Sequence, residues 1–255
     1  MASPSLPPLA LAYHGVADVP LRRDPMGLFV RPSDLRRQIA RLRSWGYRFV
    51  SFGQLARAAE HGVANGAVAL TFDDGLVDNL DTLAPLLAGE DVPATVFVVS
   101  GWLGQSYPWG PWTRLMTAEE VVLLRDAGVE IGAHTVTHPD LGELSYEAAR
   151  EELARSRADL ESLLAGPVDV ASYPFGSARE ETIRACRDAG FRAACRTSGN
   201  GSWAEPLNLP RQDVDNRCSM LGLRLKRDNR YERLMRLPPA RVARRLSRQV
   251  RAVTG

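Results

Sequence analysis

The sequence predicts an α/β fold in which parallel strands are joined by crossover helices. The first observation is that short apolar runs alternate with segments of helical periodicity along most of the 255 residues, a pattern typical of βα units. The second is that reactive polar residues directly follow several of these runs. Periodicity leaves two architectures open, a doubly wound sheet and a barrel of seven or eight strands. We favour the barrel because the contributing strands span nearly the whole chain.

Short apolar runs predict seven strands, at residues 9–13, 47–52, 67–72, 94–99, 129–133, 168–173 and 191–195. Five helices are predicted between them, at residues 32–45, 79–87, 118–127, 145–164 and 178–189. Ser33 is the expected N-cap of the first helix, and Thr117 with Glu120 forms a capping box before the third. Gly190 is placed to end the fifth helix.

Composition narrows the class of protein. The chain is 45% hydrophobic and 24% charged, as expected for a globular protein with a sizeable core. A net charge of +2 gives no support for nucleic-acid binding. No run is long enough to span a membrane and the first residues do not resemble a signal peptide, so we expect a cytoplasmic protein. We divide the chain into a catalytic domain at 1–218 and a basic, partly helical extension at 219–255.

Two short motifs indicate metal-assisted hydrolysis. Asp73 and Asp74 follow the predicted strand 67–72, and His134 and His138 follow the predicted strand 129–133. One carboxylate, from Asp74, and two imidazoles suit a divalent ion with positions left open for water or substrate. Asp73 is then the candidate base, and His14 the candidate acid that protonates a leaving group.

Each residue has a structural alternative, since paired aspartates often cap helices and a lone histidine is often structural. Their shared position at strand ends favours the catalytic interpretation. A backbone N–H of the turn Pro174, Phe175 and Gly176 is a candidate oxyanion donor. The motifs of nucleotide-binding loops and serine hydrolases are absent.

These motifs resemble the polysaccharide deacetylases, carbohydrate esterase family four with the NodB homology domain. The resemblance implies a deformed (β/α)7–8 barrel and removal of N-acetyl groups from glycans. It also implies a divalent ion, zinc first with cobalt, nickel or manganese as alternatives, held by Asp74, His134 and His138. Asp73 takes the role of catalytic base.

The sequence departs from the family pattern in two places. The Leu-x-x-His motif occurs only at Leu11 to His14, before the aspartate pair, an order that resembles the circularly permuted, exopolysaccharide-deacetylase branch. Ser172 stands where the family has an arginine that orients the base, and we suggest that Arg211 substitutes for it from another loop.

Two further segments carry functional hypotheses. Trp109 and Trp112 lie in an aromatic loop after the predicted strand 94–99, where they would form a substrate platform or pack as a lid. The extension is rich in arginine and contains a helical apolar stripe, which would contact an anionic membrane surface or dock on the barrel.

The sequence therefore predicts a metal-dependent N-deacetylase whose partner is an N-acetylated carbohydrate, with no nucleic acid. Two alternatives stay open. One is a hydrolase of a small non-glycan amide or acetylated secondary metabolite, and the other is a catalytically idle glycan-binding module.

Overall fold

The computed structural model describes residues 6–231 and 234. Its strands, in chain order, are β1 Leu9–Tyr13, β2 Gly15–Val16, β3 Phe29–Val30, β4 Arg48–Phe49, β5 Ala67–Phe72, β6 Ala94–Val98, β7 Ser106–Tyr107, β8 Gly110–Arg114, β9 Glu130–Ala133, β10 Val170–Ser172, β11 Ala193–Cys195 and β12 Gln212–Asp213.

The helices are α1 Pro32–Ser44, α2 Phe52–Glu60, α3 Ala84–Glu90, α4 Ala118–Asp126, α5 Tyr146–Leu164, α6 Glu180–Asp188 and α7 Met220–Arg227. A π-helical turn, Asn79–Leu83, precedes α3. Short 3-10 turns occur at Ser100–Trp102, Leu141–Glu143 and Pro174–Gly176.

Seven parallel strands form one curled sheet, in the order β11, β10, β9, β6, β5, β1 and β12, with β4 paired to the start of β5. Leu209 pairs with Cys195 at the end of β11, and Gln212 pairs with Leu11 of β1. The segment 209–213 therefore touches both edges of the sheet and closes it into a distorted barrel. The predicted barrel is confirmed.

The barrel interior holds apolar side chains at one end and polar ones at the other. Because side chains alternate along a strand, Ala67, Ala69 and Thr71 of β5 face inward with Asp73 beyond them, while Val68, Leu70 and Phe72 pack against the surrounding helices. Phe52 and Phe97 fill the apolar end of the interior, with their ring centroids 5.7 Å apart. The polar end of the barrel lies at the carboxyl ends of the strands, where parallel α/β folds carry their sites.

Most predicted elements are present with shifted ends, and the reasons are local. The predicted strand 47–52 is only β4, since Ser51 and Gln54 form a capping box that starts α2 at Phe52. The predicted N-cap Ser33 is wrong, because α1 begins at Pro32 after an extended Arg31 that makes no side-chain cap. The predicted helix 79–87 opens as the π-helical turn and runs on to Glu90.

The first part of the predicted extension packs on the barrel. Leu223 of α7 is fully buried, the Arg227 guanidinium lies 4.6 Å from the ring centroid of Trp45, and Gln212 Nε2 donates to Asn229 Oδ1 at 2.9 Å. The boundary at 218 stays a prediction, and the predicted membrane-contacting stripe lies outside the described residues. Within the described part of the chain, no helix is both long and apolar enough to cross a membrane.

The side chains of Asp78 and Asn79 form hydrogen bonds with the backbone that follows β1. The Val16 amide donates to Asp78 Oδ2 at 2.5 Å, and Asn79 Nδ2 donates to the His14 carbonyl at 3.2 Å. Asp78 is buried and its Oδ1 has no hydrogen-bond partner. Burial raises the pKa of this carboxyl to about 6, so its ionised form is unfavourable in the folded protein.

We expect Asp78→Asn to stabilise the protein increasingly as the pH rises. A carboxyl whose pKa is raised on folding contributes stability that is complete below its unfolded pKa and is lost as pH rises through the folded value. The gap in unfolding free energy between the variant and the wild type should therefore widen by roughly 3 kcal/mol between about pH 4 and pH 6. Above pH 6 the gap should stay constant. Urea unfolding at pH 4 to 8 measures it, with the exposed Asp91→Asn as control. A gap independent of pH would contradict the prediction.

Candidate active site

A buried ion pair joins Asp73 to Arg211 inside the barrel. The guanidinium donates to both carboxylate oxygens, Nη1 to Oδ1 and Nη2 to Oδ2, each at 2.7 Å. Arg211 has no exposed surface, and its remaining donors reach Thr71 Oγ1 at 2.8 Å and the Arg196 carbonyl at 3.1 Å. A buried charge is tolerated only when it is paired and hydrogen-bonded in this way.

Ser172 completes the surroundings of the guanidinium. Its hydroxyl accepts from Arg211 Nη2 at 2.6 Å. The short serine side chain on β10 leaves space, and this space is filled by the guanidinium of Arg211 from the segment 209–213. The structure thus places Arg211 against the base candidate and beside Ser172, as the sequence suggested.

The ion pair keeps Asp73 ionised. Burial alone would raise the pKa of this carboxyl, but the Arg211 guanidinium, helped by His134, holds the pKa of Asp73 well below its usual range. Asp73 is therefore a carboxylate at any ordinary pH, as a base must be.

Asp74, His134 and His138 form a compact cluster at the same edge. Each offers one ligand atom, and these atoms lie within 4.8 Å of one another. The Nε2 atoms of both histidines are 3.5 Å from Asp74 Oδ1, which is too far for a good hydrogen bond. All three side chains are buried, and Asp74 Oδ1 has no hydrogen-bond partner.

The cluster fits a divalent ion. Ligand bonds of about 2.0 to 2.2 Å in tetrahedral geometry place neighbouring ligand atoms about 3.3 to 3.6 Å apart, which matches the separation of 3.5 Å from each Nε2 to Asp74 Oδ1. Tyr107 donates to the other Asp74 oxygen at 2.6 Å, and His134 Nδ1 lies 2.8 Å from the Ser172 carbonyl. Such outer contacts orient the ligand atoms of metal sites.

The protonation states of the neighbours suit this arrangement. Burial, together with His134, lowers the pKa of His138 to about 4, so the ring is neutral near pH 7 and keeps a lone pair. Burial and the Asp74 carboxylate raise the pKa of Tyr107, so its hydroxyl stays protonated and donates.

The histidine loop has an unusual backbone that Glu152 of α5 holds in place. Thr135 and His138 have φ angles of 68° and 56°, and Asp74 has 76°, in the left-handed region that non-glycine residues seldom adopt. Glu152 accepts from the Val136 and Thr137 amides at 2.9 Å and from the Thr137 hydroxyl at 2.8 Å. Strained residues of this kind cluster where the surrounding structure fixes them.

A cavity of about 200 Å³ opens over the cluster. It is lined by His14, Met26, Leu28, Asp73, Asp74, Tyr107, Trp109, His134, His138, Phe175, Thr197 and Asp213. His14 and Trp109 therefore lie where the sequence suggested. Trp112 is not among the lining residues, because its ring packs 4.8 Å from that of Phe29 and its indole N–H donates to the Arg23 carbonyl at 2.9 Å.

The turn after β10 was predicted to supply one backbone N–H to an oxyanion. Pro174 has no N–H, and the Gly176 amide already donates to the Tyr173 carbonyl at 2.9 Å. The Phe175 N–H remains as the candidate donor, in a residue whose φ angle is 58°. The oxyanion prediction is thereby narrowed from the whole turn to Phe175.

Sequence reasoning missed several residues of the site. Tyr107 belongs to the hairpin of β7 and β8, which was predicted only as an aromatic loop, and the Glu152 contacts and the lining residues Met26 and Leu28 went unnoticed. Two left a weak signal, since Tyr107 stood in the aromatic loop and Glu152 on a predicted helix directly after the histidine motif.

The chain is similar to known proteins over part of its length. The family model for polysaccharide deacetylase matches residues 61–194. The chain is 28% identical to the YxkH protein of Bacillus subtilis (strain 168) over 130 residues, 51% of this chain and 44% of that protein. It is 36% identical to the poly-β-1,6-N-acetyl-D-glucosamine N-deacetylase of Escherichia coli (strain K12) over 97 residues, 37% of this chain and 14% of that protein. The chain spans less than half the length of either relative.

The fold is similar to that of the Streptococcus pyogenes deacetylase PplD, solved in complex with acetate. The TM-score is 0.76 at 24% identity, over 87% of this chain and 98% of that one. The family match at 61–194 includes Asp73, Asp74, His134 and His138, whereas His14 and Arg211 lie outside it.

We expect Arg211→Ala to destabilise the protein by about 3 to 5 kcal/mol, because Asp73 would lose the cation that compensates its burial. Denaturant unfolding measures the loss. The control is Arg192→Ala, which removes an exposed pair with Asp169 and should change stability by at most about 1 kcal/mol. Equal effects of the two substitutions would contradict the prediction.

Proposed function

The chain belongs to the polysaccharide deacetylase family, and we propose that it is a metal-dependent hydrolase that removes N-acetyl groups from an N-acetylated sugar or glycan. The observation that carries the proposal is the buried Asp74 Oδ1, which has no hydrogen-bond partner and lies 3.5 Å from the Nε2 atoms of His134 and His138. The preceding residue, Asp73, is a carboxylate that is held ionised. The E. coli relative, an N-acetyl-D-glucosamine polymer deacetylase by name, supports the substrate class.

We assign Asp74, His134 and His138 as ligands of one divalent ion, zinc first with cobalt, nickel or manganese as alternatives. Such an ion lowers the pKa of a bound water and polarises the amide carbonyl. The chain's own contribution is to hold the three ligand atoms in place, through Tyr107 on Asp74 and the Ser172 carbonyl on His134.

Asp73 is the proposed base. Its ionised carboxylate accepts a proton from the attacking water, and the bidentate Arg211 contact fixes its orientation. The same contact keeps its pKa low, so the gain in rate comes from position more than from basicity.

His14 is the proposed acid, and the Phe175 amide the proposed donor to the developing oxyanion. His14 follows β1, which lies beside β5 in the sheet, so His14 and Asp73 face the same cavity. His14 protonates the amine as the C–N bond breaks, and acetate and the free amine leave. This placement at the first strand also supports the proposal that the chain belongs to the circularly permuted branch.

Trp109 and Phe175 are the proposed sugar contacts. The Trp109 ring centroid lies 5.0 Å from that of His138 and 6.4 Å from that of Phe175, so the two aromatic side chains flank the ligand cluster. Aromatic faces of this kind suit the apolar faces of sugar rings.

We expect Asp73→Asn to abolish acetate release, with a fall of at least about 10³-fold, because the water loses its base. The zinc-loaded protein is assayed with N-acetylglucosamine oligomers, peptidoglycan fragments and small acetamides. The variant should bind as much zinc as the wild type, since Asp73 is not a proposed ligand.

The panel separates the alternatives. Release from glycans that is lost in the variant supports the proposed function. Release from small acetamides alone indicates a hydrolase of non-glycan amides. No release from any substrate by zinc-loaded wild type, together with glycan binding, indicates an idle binding module.

We expect Glu152→Gln to weaken zinc binding by about 10- to 100-fold, because the loop that carries both histidines loses a charged acceptor. Isothermal titration of the metal-free protein with zinc measures it. Glu151→Gln, an exposed neighbour on the same helix, is the control and should leave the affinity unchanged. Equal affinities for the two variants would show that Glu152 does not support the loop.

A further inference from the structure

The mouth of the cavity is bordered by exposed apolar side chains. Eight large apolar side chains are exposed in the described part of the chain. Four of them lie on the loop 20–28, at the Phe175 turn, or at Trp112, whose indole N–H donates to that loop. We call this set the apolar mouth: Leu21, 57% exposed, Met26, 55%, Trp112, 37%, and Phe175, 62%. Met26 and Phe175 line the cavity itself, so the mouth is continuous with the site.

The loop that carries Leu21 and Met26 is rigidly built. The buried Asp24 carboxylate accepts from the Gly27, Leu28 and Phe29 amides at 2.8 to 2.9 Å and from Asn216 Nδ2 at 3.0 Å.

The loop is also tied to its neighbours from outside. Arg217 donates to the Pro25 carbonyl at 3.0 Å, and Trp112 donates to the Arg23 carbonyl at 2.9 Å. A loop fixed this firmly holds its exposed apolar side chains in water at a cost, and such patches mark binding surfaces.

The same loop carries two adjacent arginines. Arg22 and Arg23 are exposed, and neither forms an ion pair with an acidic residue in the part of the chain that the structure describes. Asp24, the acid beside them, is committed to the backbone amides. The loop that carries the cavity residue Met26 is therefore both apolar and cationic on its exposed side chains, which complements an anionic amphiphile.

We propose that the substrate is an N-acetylated sugar joined through a phosphate to an apolar chain. The sugar enters the cavity, the phosphate faces Arg22 and Arg23, and the apolar chain lies on Leu21 and Met26. This proposal rests on the proposed function and names its substrate class.

The test is a binding measurement that needs no turnover. The zinc-loaded Asp73→Asn protein is titrated by calorimetry, below micellar concentrations, with three ligands. They are the octyl phosphodiester of N-acetylglucosamine 1-phosphate, its methyl phosphodiester, and octyl N-acetylglucosaminide. We expect the octyl phosphodiester to bind at least about ten-fold more tightly than either of the others, since each lacks the apolar chain or the phosphate.

Variants in the same background locate the contacts. Leu21→Ser should remove the advantage of the octyl over the methyl phosphodiester, and the exposed Val63→Ser, on the loop before β5, should keep it. Arg22→Gln with Arg23→Gln should remove the advantage of the phosphodiester over the octyl glycoside, and the exposed Arg48→Gln should keep it.

Equal affinities for the three ligands, or no binding of any, would overturn the proposal. Binding of anionic phospholipid vesicles without sugar, at equal strength and with the same loss in Leu21→Ser, would also overturn it and assign the mouth to a membrane surface. Acetate release by the wild type is measured separately, so a failure of the proposed function is seen independently of these affinities.

Discussion

The organisation of this site depends on one buried contact, the bidentate ion pair of Asp73 with Arg211. The two residues lie 138 positions apart in sequence and meet inside the barrel with almost no solvent. In such surroundings a carboxylate without a cation would take up a proton. The guanidinium therefore both permits the charge and fixes the plane of the carboxylate, while Asp74, with φ at 76°, turns the other way toward the histidines. The two adjacent carboxylates therefore face different groups, Asp73 the Arg211 guanidinium and Asp74 the two histidines.

The strands were predictable because their signal is local. β1 and β5 have the predicted bounds, and the positions of Asp73, His134 and His14 at the carboxyl edge followed from parallel topology alone. β4 and β10 are shorter than predicted, because capping at Ser51 and the turn at Pro174 end the extended backbone. The hairpin of β7 and β8 has no hydrophobic alternation long enough to reveal it.

The contacts that assemble the site were less predictable, since they join distant parts of the chain. The hydrogen bond of Tyr107 to Asp74 and the Glu152 contacts depend on tertiary packing. Arg211 was suggested only because Ser172 left a gap in a family pattern. The family match also ends at residue 194, before the segment that contains it. Local sequence therefore located the cluster of Asp74, His134 and His138, while the groups that complete the site required the fold.

The closing segment has a consequence for how the protein is made. Every member of the ligand cluster lies within the first 138 residues, whereas the cation that pairs with Asp73 stands at position 211. Only when residues 209–213 emerge and pair with β11 and β1 does Asp73 gain its counter-charge. The charged state of Asp73 therefore depends on the correct pairing of this seam.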